Sequence, residues 1–510
     1  MVHAYPPPGR RRLITIFVMA AAVMNVIDTT IANVALPHMQ GTTSASREEI
    51  TWVLTSYIVS AAIFTPLTGW LATRYGRKKL LLVSIVGFTA ASGLCGMADT
   101  LAQLILFRLL QGVFGSSLLP MSQATLLDIN APENHGQAMA VVGLAAVMGP
   151  LLGPLAGGYI TDSFSWRWVF YINLPIGAFT FAGLWVFLEE TVPDTAARLD
   201  WIGFGLLALG LAALQLVLDR GQTLDWFDST EFCIEVVLAL AGFYLFTVHV
   251  ATTRHAPFVS MTIFRDRNFV IATLLGFALG ILIYGAMALI PMMLQTLLFY
   301  PTLRVGLVMA PRGLGTLVST LLVGRLINRI DPRILVSIGL AITGLSMAIM
   351  SDLSLAADSR LIILSGIVQG LGASSIFVPL ATMTFATLPA ASRNEGSALS
   401  TLIRNMGASV GIAGMEALTY RNAATVQSRL TETLTPDNPL LRYAMPALRW
   451  NSPAALDRLE MSVQRQAMMV SYIDAFWLLF LIGMLAAPCV FLLRRPRRLR
   501  SGPRELAELH

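Results

Sequence analysis

The stretch "FRLLQGVFGSSLLP", Phe107 to Pro120, has an echo later in the same chain, "SGIVQGLGASSIFVP", Ser365 to Pro379. Both carry Gln-Gly, then small residues with Ser-Ser, then a proline. A second pair, "GWLATRYGRKKLLLVS" (Gly69 to Ser84) and "GRLINRIDPRILVS" (Gly324 to Ser337), keeps the same offset of about 255 residues. Chance similarity between apolar helices gives no reason for a shared register, so the chain reads as a duplication. Repeated halves around a midplane site are the architecture of secondary transporters.

Composition agrees with that reading. Of 510 residues 55% are hydrophobic and 13% charged, whereas soluble domains carry about a quarter charged residues. The charges fall in short islands between apolar runs of roughly 20 residues, the length a helix needs to span a bilayer. The ten-residue alternation of a membrane β-barrel does not occur. The fold class is therefore an all-α polytopic membrane protein with about fourteen spans. The three cysteines lie in or beside apolar runs and give neither a disulfide framework nor a metal pattern. The net charge of +6 reflects loop topology and not nucleic-acid binding.

With the N-terminus on the cytoplasmic side, about 21 basic residues fall on cytoplasmic islands against about five in short external loops, as the positive-inside rule requires. Arg10 to Arg12, Arg77 to Lys79, Arg254, Arg393 and the tail from Arg494 to Arg504 are among them. Both termini are then cytoplasmic. The exception is the long segment Arg421 to Met469, with six arginines on the outer side; it reads as an external hairpin, helical around "SPAALDRLEMSVQRQ". Three units follow: a six-helix bundle over 1–199, two inserted helices with a loop over 200–268, and a second six-helix bundle over 269–510 that carries the 421–469 segment.

In this frame several stretches resemble the major facilitator superfamily, in particular its fourteen-span drug:proton antiporters of the EmrB type. "LTGWLATRYGRKKL" is similar to the loop motif between spans 2 and 3, "RLLQG" to the fourth-span motif, and "VMGPLLGPLAGGYI" to the antiporter motif of span 5. "DTTIANVALP", "WRWVFYINLPIG" and "LDRGQTLDWF" resemble blocks of the fourteen-span subgroup. The resemblance covers nearly the whole chain. It implies a conformational latch at Gly69, Gly76 and Arg77. The family usually has Asp where Thr73 stands, which leaves Asp128, at the end of span 4, as the partner for Arg77. The antiporter motif residues are Gly149, Pro150, Gly153, Pro154, Gly157 and Gly158. Glycines four apart make a ridge for close helix contact, and the prolines remove backbone donors and bend the helix.

The chemistry-bearing residues lie inside the spans. Asp28 interrupts the first apolar run, and a carboxylate at membrane depth faces a cavity or a partner far more readily than lipid. Asn25, Asp28, Thr29 and Asn33 fall within about 140° of helical arc, one polar stripe on an apolar helix. Arg108 lies about 6 Å from the outer end of span 4, with Gln111 on the same face. Snorkelling to the interface would explain Arg108 alone; the fourth-span motif points to pairing with Asp28 instead. Desolvation favours the neutral acid and an adjacent cation the carboxylate, so a carboxylate that moves between two such environments exchanges a proton across the membrane. A cationic substrate could compete with that proton for Asp28. Asn25, Thr29, Asn33, Gln111, Gln369 and Glu416 are the expected cavity residues. Arg404 joins Glu416 as a candidate for the second half's cavity, and Arg312 reads as packing or gate.

The expected function is proton-coupled export of amphipathic toxic compounds by alternating access, with no cofactor beyond the proton gradient. No clustered nucleophile, base or metal set supports an enzyme. A same-fold transporter of a metabolite, siderophore or lipid-like substrate is the alternative. The resemblance implies a bacterial inner-membrane location, contact with membrane lipid, a periplasmic adaptor (EmrA-like) and an outer-membrane channel (TolC-like).

Overall fold

The computed structural model describes residues 5–131, 134–194, 198–221, 224, 226–253, 258–327, 329–389, 392–432, 434 and 452–494. Among them the regular structure is helical throughout, with no strand. The first half comprises α1 (Pro8–Thr43), α2 (Arg47–Phe64), α3 (Leu67–Tyr75), α4 (Arg77–Met97), α5 (Leu101–Gly115), α6 (Leu118–Asp128), α7 (His135–Ser163), α8 (Trp168–Tyr171) and α9 (Asn173–Phe187). The inserted pair is α10 (Trp201–Arg220) and α11 (Thr230–Thr252), followed by the short α12 (Met261–Arg265). The second half comprises α13 (Arg267–Thr296), α14 (Thr302–Met309), α15 (Pro311–Leu326), α16 (Pro332–Ser351), α17 (Ser359–Ala386), α18 (Arg393–Glu432) and α19 (Pro453–Cys489).

Apolar runs make the helices and short polar residues start them. Ser46 accepts from the Glu49 amide while the Glu49 carboxylate takes the Ser46 amide, a reciprocal cap. Those bonds favour the charged form and hold the exposed Glu49 carboxyl below its ordinary range. Thr100, Asp200, Ser229, Asp266, Asp331 and Asp358 cap α5, α10, α11, α13, α16 and α17 in the same manner. The caps sit in the polar islands between apolar runs, so each island ends one helix and begins the next.

Among the described residues eleven helices are long and apolar enough to cross a membrane, or twelve if α2 and α3, bent by 55° at Thr65–Pro66, count as one. Together with the two further long helices α7 and α18 the bundle is consistent with the expected fourteen. Of the remaining long helices, α7 has 29 residues and α18 has 40, but α18 carries Arg404, Asn405, Glu416 and Arg421 along its length, which lowers its mean hydropathy. The segment 421–469 is largely helix: α18 continues to Glu432 and α19 starts at Pro453. Its centre, residues 435–451, lies outside the described residues, as do Arg254 and the tail arginines after Arg494.

Glycines set the closest helix contacts. A Cβ on Gly112 of α5 would lie 2.5 Å from the Tyr57 carbonyl oxygen of α2 and against Ser60 Oγ. Gly112→Val is expected to lower thermal stability in detergent by about 1–3 kcal/mol through overpacking; an unchanged melting temperature would contradict so close an approach. The inserted α11 is the most peripheral span, with 22% of its apolar window buried, and it exposes Val237, Leu240 and Tyr244 to the surroundings. Exposed side chains of this kind suit lipid and not water.

Candidate functional site

The site is built where α1, α2, α4, α5 and α9 converge. Asp28 and Arg108 are both fully buried, and Arg108 Nη1 donates to Asp28 Oδ2 at 2.7 Å. The second carboxylate oxygen, Oδ1, accepts from Gln111 Nε2 and from Asn173 Nδ2, each at 2.8 Å. Arg108 Nη1 also donates to Gln111 Oε1 at 2.7 Å, and its Nε to the Val53 carbonyl at 3.0 Å. The guanidinium lies 4.3 Å from the centroid of the Tyr57 ring. Asn173 is itself held by Ser92 Oγ at 2.9 Å, and Ser92 donates to the Phe170 carbonyl at 2.8 Å.

The cluster is thus a desolvated ion pair whose carboxylate takes three donors. Burying two charges is costly unless geometry and further hydrogen bonds compensate, and here both carboxylate oxygens are satisfied. Arg108 does not snorkel; it points into the bundle. Two physical facts bring it there: α5 passes close to α2 at Gly112, and the Val53 carbonyl accepts the guanidinium edge. Tyr57, Ser92 and Asn173 carry no isolated sequence signal. Asn173 does fall inside the quoted block "WRWVFYINLPIG", where a lone amide between apolar residues is the one available cue.

The six residues expected to line a cavity are not brought together. Gln111 belongs to the ion-pair cluster. Asn25 donates to Tyr57 Oη at 2.7 Å and to the Gly115 carbonyl at 3.1 Å. Thr29 bonds back to the Val26 carbonyl within its own helix, and Asn33 is exposed. Gln369 on α17 is fully buried, with neither amide atom hydrogen-bonded. Glu416 is half-buried on α18, with Asp219 of α10 as its charged neighbour. Glu235 pairs with Arg220 at 3.0 Å, and Asp474 accepts from Asn422 at 2.5 Å.

The glycine ridge of α7 packs on α1 beside the ion pair. Cβ atoms on Gly149 and Gly153 would run into Val26 and Thr30, and one on Gly157 would approach Ile31 at 3.0 Å; Gly158 meets nothing. Thr30 Oγ1 donates to the Gly149 carbonyl at 3.0 Å. The ridge therefore joins two helices of one half. Contact with the second half comes from the earlier part of α7, where Gly136 faces Ile327 and Gly143 faces Phe377. The side chains of Pro150 and Pro154 lie outside the described residues, and α7 is continuous through both positions.

At the end of the bundle that carries the basic loop, the halves touch through charge. Arg77 Nη1 donates to Asp128 Oδ2 at 2.6 Å, its Nη2 donates to Asn394 Oδ1 at 2.5 Å, and Arg393 Nη1 reaches Asp128 Oδ1 at 3.2 Å. Asp128 thus bridges an arginine of each half, while Thr73 bonds only to the Gly69 carbonyl among the described side-chain bonds. Gly69 is pressed against the Glu395 backbone, its Cβ position 2.9 Å from the Glu395 Cα. Gly76 has φ +92°, a conformation favouring glycine, and a Cβ there would strike the Glu190 carboxylate. That carboxylate accepts from the Lys78 and Lys79 amides at 3.0 Å, capping α4 with negative charge. Burial and the nearby Arg393 hold the His135 imidazole below its ordinary range, so it adds no charge to this contact at neutral pH.

A cavity of about 80 Å³ lies between Gly143 of the first half and the second-half helices α13, α14, α15, α17 and α18. Ile283, Tyr284, Met287, Phe377 and two arginines, Arg312 and Arg404, line it.

Comparisons with known proteins agree with this architecture. The sequence profile of the Major Facilitator Superfamily matches residues 18–412. The chain is 36% identical over 484 residues to the multidrug export protein EmrB of Haemophilus influenzae, covering 93% of this chain and 94% of that one. It is 35% identical over 436 residues to the fatty acid resistance protein FarB of Neisseria gonorrhoeae, covering 85% and 86%. The structure of the proton:xylose symporter XylE superposes with a TM-score of 0.60 at 14% identity, covering 95% of each chain; at that identity the likeness is one of fold. A repeated helical bundle, a sealed intramembrane ion pair, the profile match and these relatives lead to one assignment: the chain belongs to the major facilitator superfamily of membrane transporters, among its EmrB-like members.

Proposed function

We propose that this protein is a proton-coupled antiporter that exports amphipathic toxic compounds by alternating access, from a bacterial inner membrane with both termini cytoplasmic. The observation that carries the reading is the Asp28–Arg108 pair, closed off from solvent and satisfied on both carboxylate oxygens. In this conformation Asp28 is sealed from solvent, and three donors already occupy its two oxygens. Proton uptake requires α5 or α9 to move, which loosens Arg108, Gln111 or Asn173 from the carboxylate. Protonation and helix movement are thereby one event, and the ion pair re-forms when the proton leaves. The relatives named for multidrug export and fatty acid resistance support a lipophilic, amphipathic cargo. The coupling is tested by transport in proteoliposomes under an imposed pH gradient, with and without a protonophore; accumulation that ignores the gradient would exclude it.

Closure at the Arg77 end is the second half of the cycle. Asp128 holds Arg77 and Arg393 together across the halves, and Ser397 is fully buried there with its hydroxyl donating to the Pro120 carbonyl at 2.9 Å. Asp128→Asn removes the shared charge and is expected to open this end. A cysteine placed at Ser397 should then react with a maleimide at least several-fold faster than in the Asp128 background. Equal labelling rates would count against the latch. The periplasmic adaptor and outer-membrane channel belong to this reading as partners, with the 421–469 segment as the contact; co-purification from a two-membrane host tests it.

A further inference from the structure

The two halves treat their buried arginines in opposite ways. In the first half Arg108 is neutralised by Asp28. At a repeat offset of 255 to 258 residues, Asp28 falls on the turn Ile283 to Ala286 of α13, where no residue is acidic and Ile283 and Tyr284 line the cavity. Arg108, three residues before Gln111, corresponds to Gly366, three residues before Gln369. The place left by Gly366 is taken by Arg312 of α15, whose Cβ lies 3.6 Å from where a Gly366 Cβ would be. The second half thus keeps a cation at this depth, delivered from another helix, but carries no carboxylate to meet it.

Both cavity cations lack a counter-charge. Among the described residues neither Arg312 nor Arg404 forms an ion pair, and none of the cavity-lining residues is acidic. Arg312 Nη1 is buried without a hydrogen-bond acceptor. Arg404 has the face of Phe377, 5.2 Å from its guanidinium carbon, and the Tyr284 phenol as a neutral neighbour that it shares with Arg312. Glu416, twelve residues further along α18, is about 18 Å away along the helix axis. Intramembrane charge without a partner is expensive, and an acceptor-less guanidinium nitrogen adds to that cost. Apart from the hydroxyls of Tyr284, Thr316 and Ser374 the rest of the wall is apolar, with Ile283, Met287, Met309 and Phe377; methionine and aromatic surfaces adapt to varied apolar groups. A volume of about 80 Å³ holds several waters, room enough for a charged head group.

We propose that this cavity binds the anionic head group of an amphipathic substrate, with Arg312 and Arg404 supplying the counter-charge and the Met–Phe wall receiving the start of its tail. The proposal rests on the export reading above and gives it a substrate class: monovalent carboxylates, and not the cations that competition at Asp28 would favour. It also separates the two charges of the cycle, the proton at Asp28 in one half and the substrate anion at the arginines in the other.

The test uses the full-length protein in nanodiscs of zwitterionic lipid at pH 8, with decanoate and decyltrimethylammonium as probes of equal tail and opposite charge, corrected for partition into empty discs. Wild-type protein is expected to bind decanoate at least about tenfold more tightly, the effect of one charge-assisted contact. Arg312→Gln and Arg404→Gln should each weaken decanoate by about tenfold and leave decyltrimethylammonium unchanged, with Arg→Lys variants restoring part of the preference. Equal affinity for the two probes in wild type, or a preference for the cation, overturns the proposal without any variant needing to fold. Discs containing phosphatidylglycerol distinguish a lipid occupant: if its head group fills the site, decanoate binding falls there, and the site is then a lipid site and the substrate proposal fails. Transport in proteoliposomes separates this failure from that of the export reading. Gradient-driven movement of the cation alone sinks only the anion proposal, whereas anion binding with no gradient-driven movement of either probe sinks only the coupling.

Discussion

Asp28→Asn protein reconstituted in proteoliposomes is expected to bind substrate with near wild-type affinity and to lose pH-gradient-driven accumulation altogether. The substitution is nearly isosteric. Its one amide oxygen can keep either the Arg108 donor, at the Oδ2 place, or the Gln111 and Asn173 donors, at the Oδ1 place. The donors left facing the amide nitrogen must turn away, a local change that leaves the packing of α1, α5 and α9 in place. What disappears is the exchangeable proton and the charge that binds Arg108. If Asp28 couples proton movement to the cycle, the variant can exchange substrate down its own gradient but not against it. Full gradient-driven accumulation by Asp28→Asn would remove Asp28 from the mechanism. Loss of substrate binding together with transport would instead make it part of the cargo site, which the absence of Asp28 from the cavity wall does not favour.

The second large effect concerns stability and separates charge from shape. Arg108→Met leaves Asp28 buried with two amide donors and no cation. Breaking a buried pair from one side costs about 3–5 kcal/mol, because the remaining charge is stranded. Thermal unfolding in detergent should show that loss. The double variant Asp28→Asn/Arg108→Met removes both charges and is expected to recover most of it, since a buried pair exchanged for neutral groups is often close to neutral overall. Neither variant should transport against a gradient. A double variant no more stable than Arg108→Met alone would mean that Arg108 acts through its packing on Tyr57 and Val53 and not through the pair.

Much of the fold was legible before any coordinates. Apolar runs of span length, polar islands rich in Ser, Thr and Asp, and two echoes in one register specify a duplicated helical bundle. Those are local or periodic properties, and the islands reappear as the helix caps at Ser46, Asp200 and Asp266. A pairing of Asp28 with Arg108 was readable as one option because each lies in a motif and each is too polar for lipid. Gln111 read as a cavity residue, and its bond to Asp28 was not legible. The substitution of Thr73 at a usual Asp position was equally readable, and the Arg77–Asp128 distance of 2.6 Å places the alternative partner where charge balance requires it. The span count was less legible. It depends on mean hydropathy along helices such as α18, where Arg404 and Glu416 are partly covered by neighbouring helices while Asn405 and Arg421 are exposed, a distinction that no reading of one segment alone makes.

The sequence by itself determined the membrane class, the duplication and the identity of the polar residues inside the spans, because hydropathy and repeat register are properties of the chain taken in order. Only the tertiary structure decided which of those residues meet. It drew Asn173, some 145 residues away, onto the Asp28 carboxylate, turned the α7 glycine ridge toward α1, and set Arg312 and Arg404 around one cavity with no acid between them. The physical reason is the bilayer: a polar group buried there is costly without a partner, and helices distant in sequence decide which groups find one, as Asp28 does, and which do not, as with Arg312 Nη1 and Gln369.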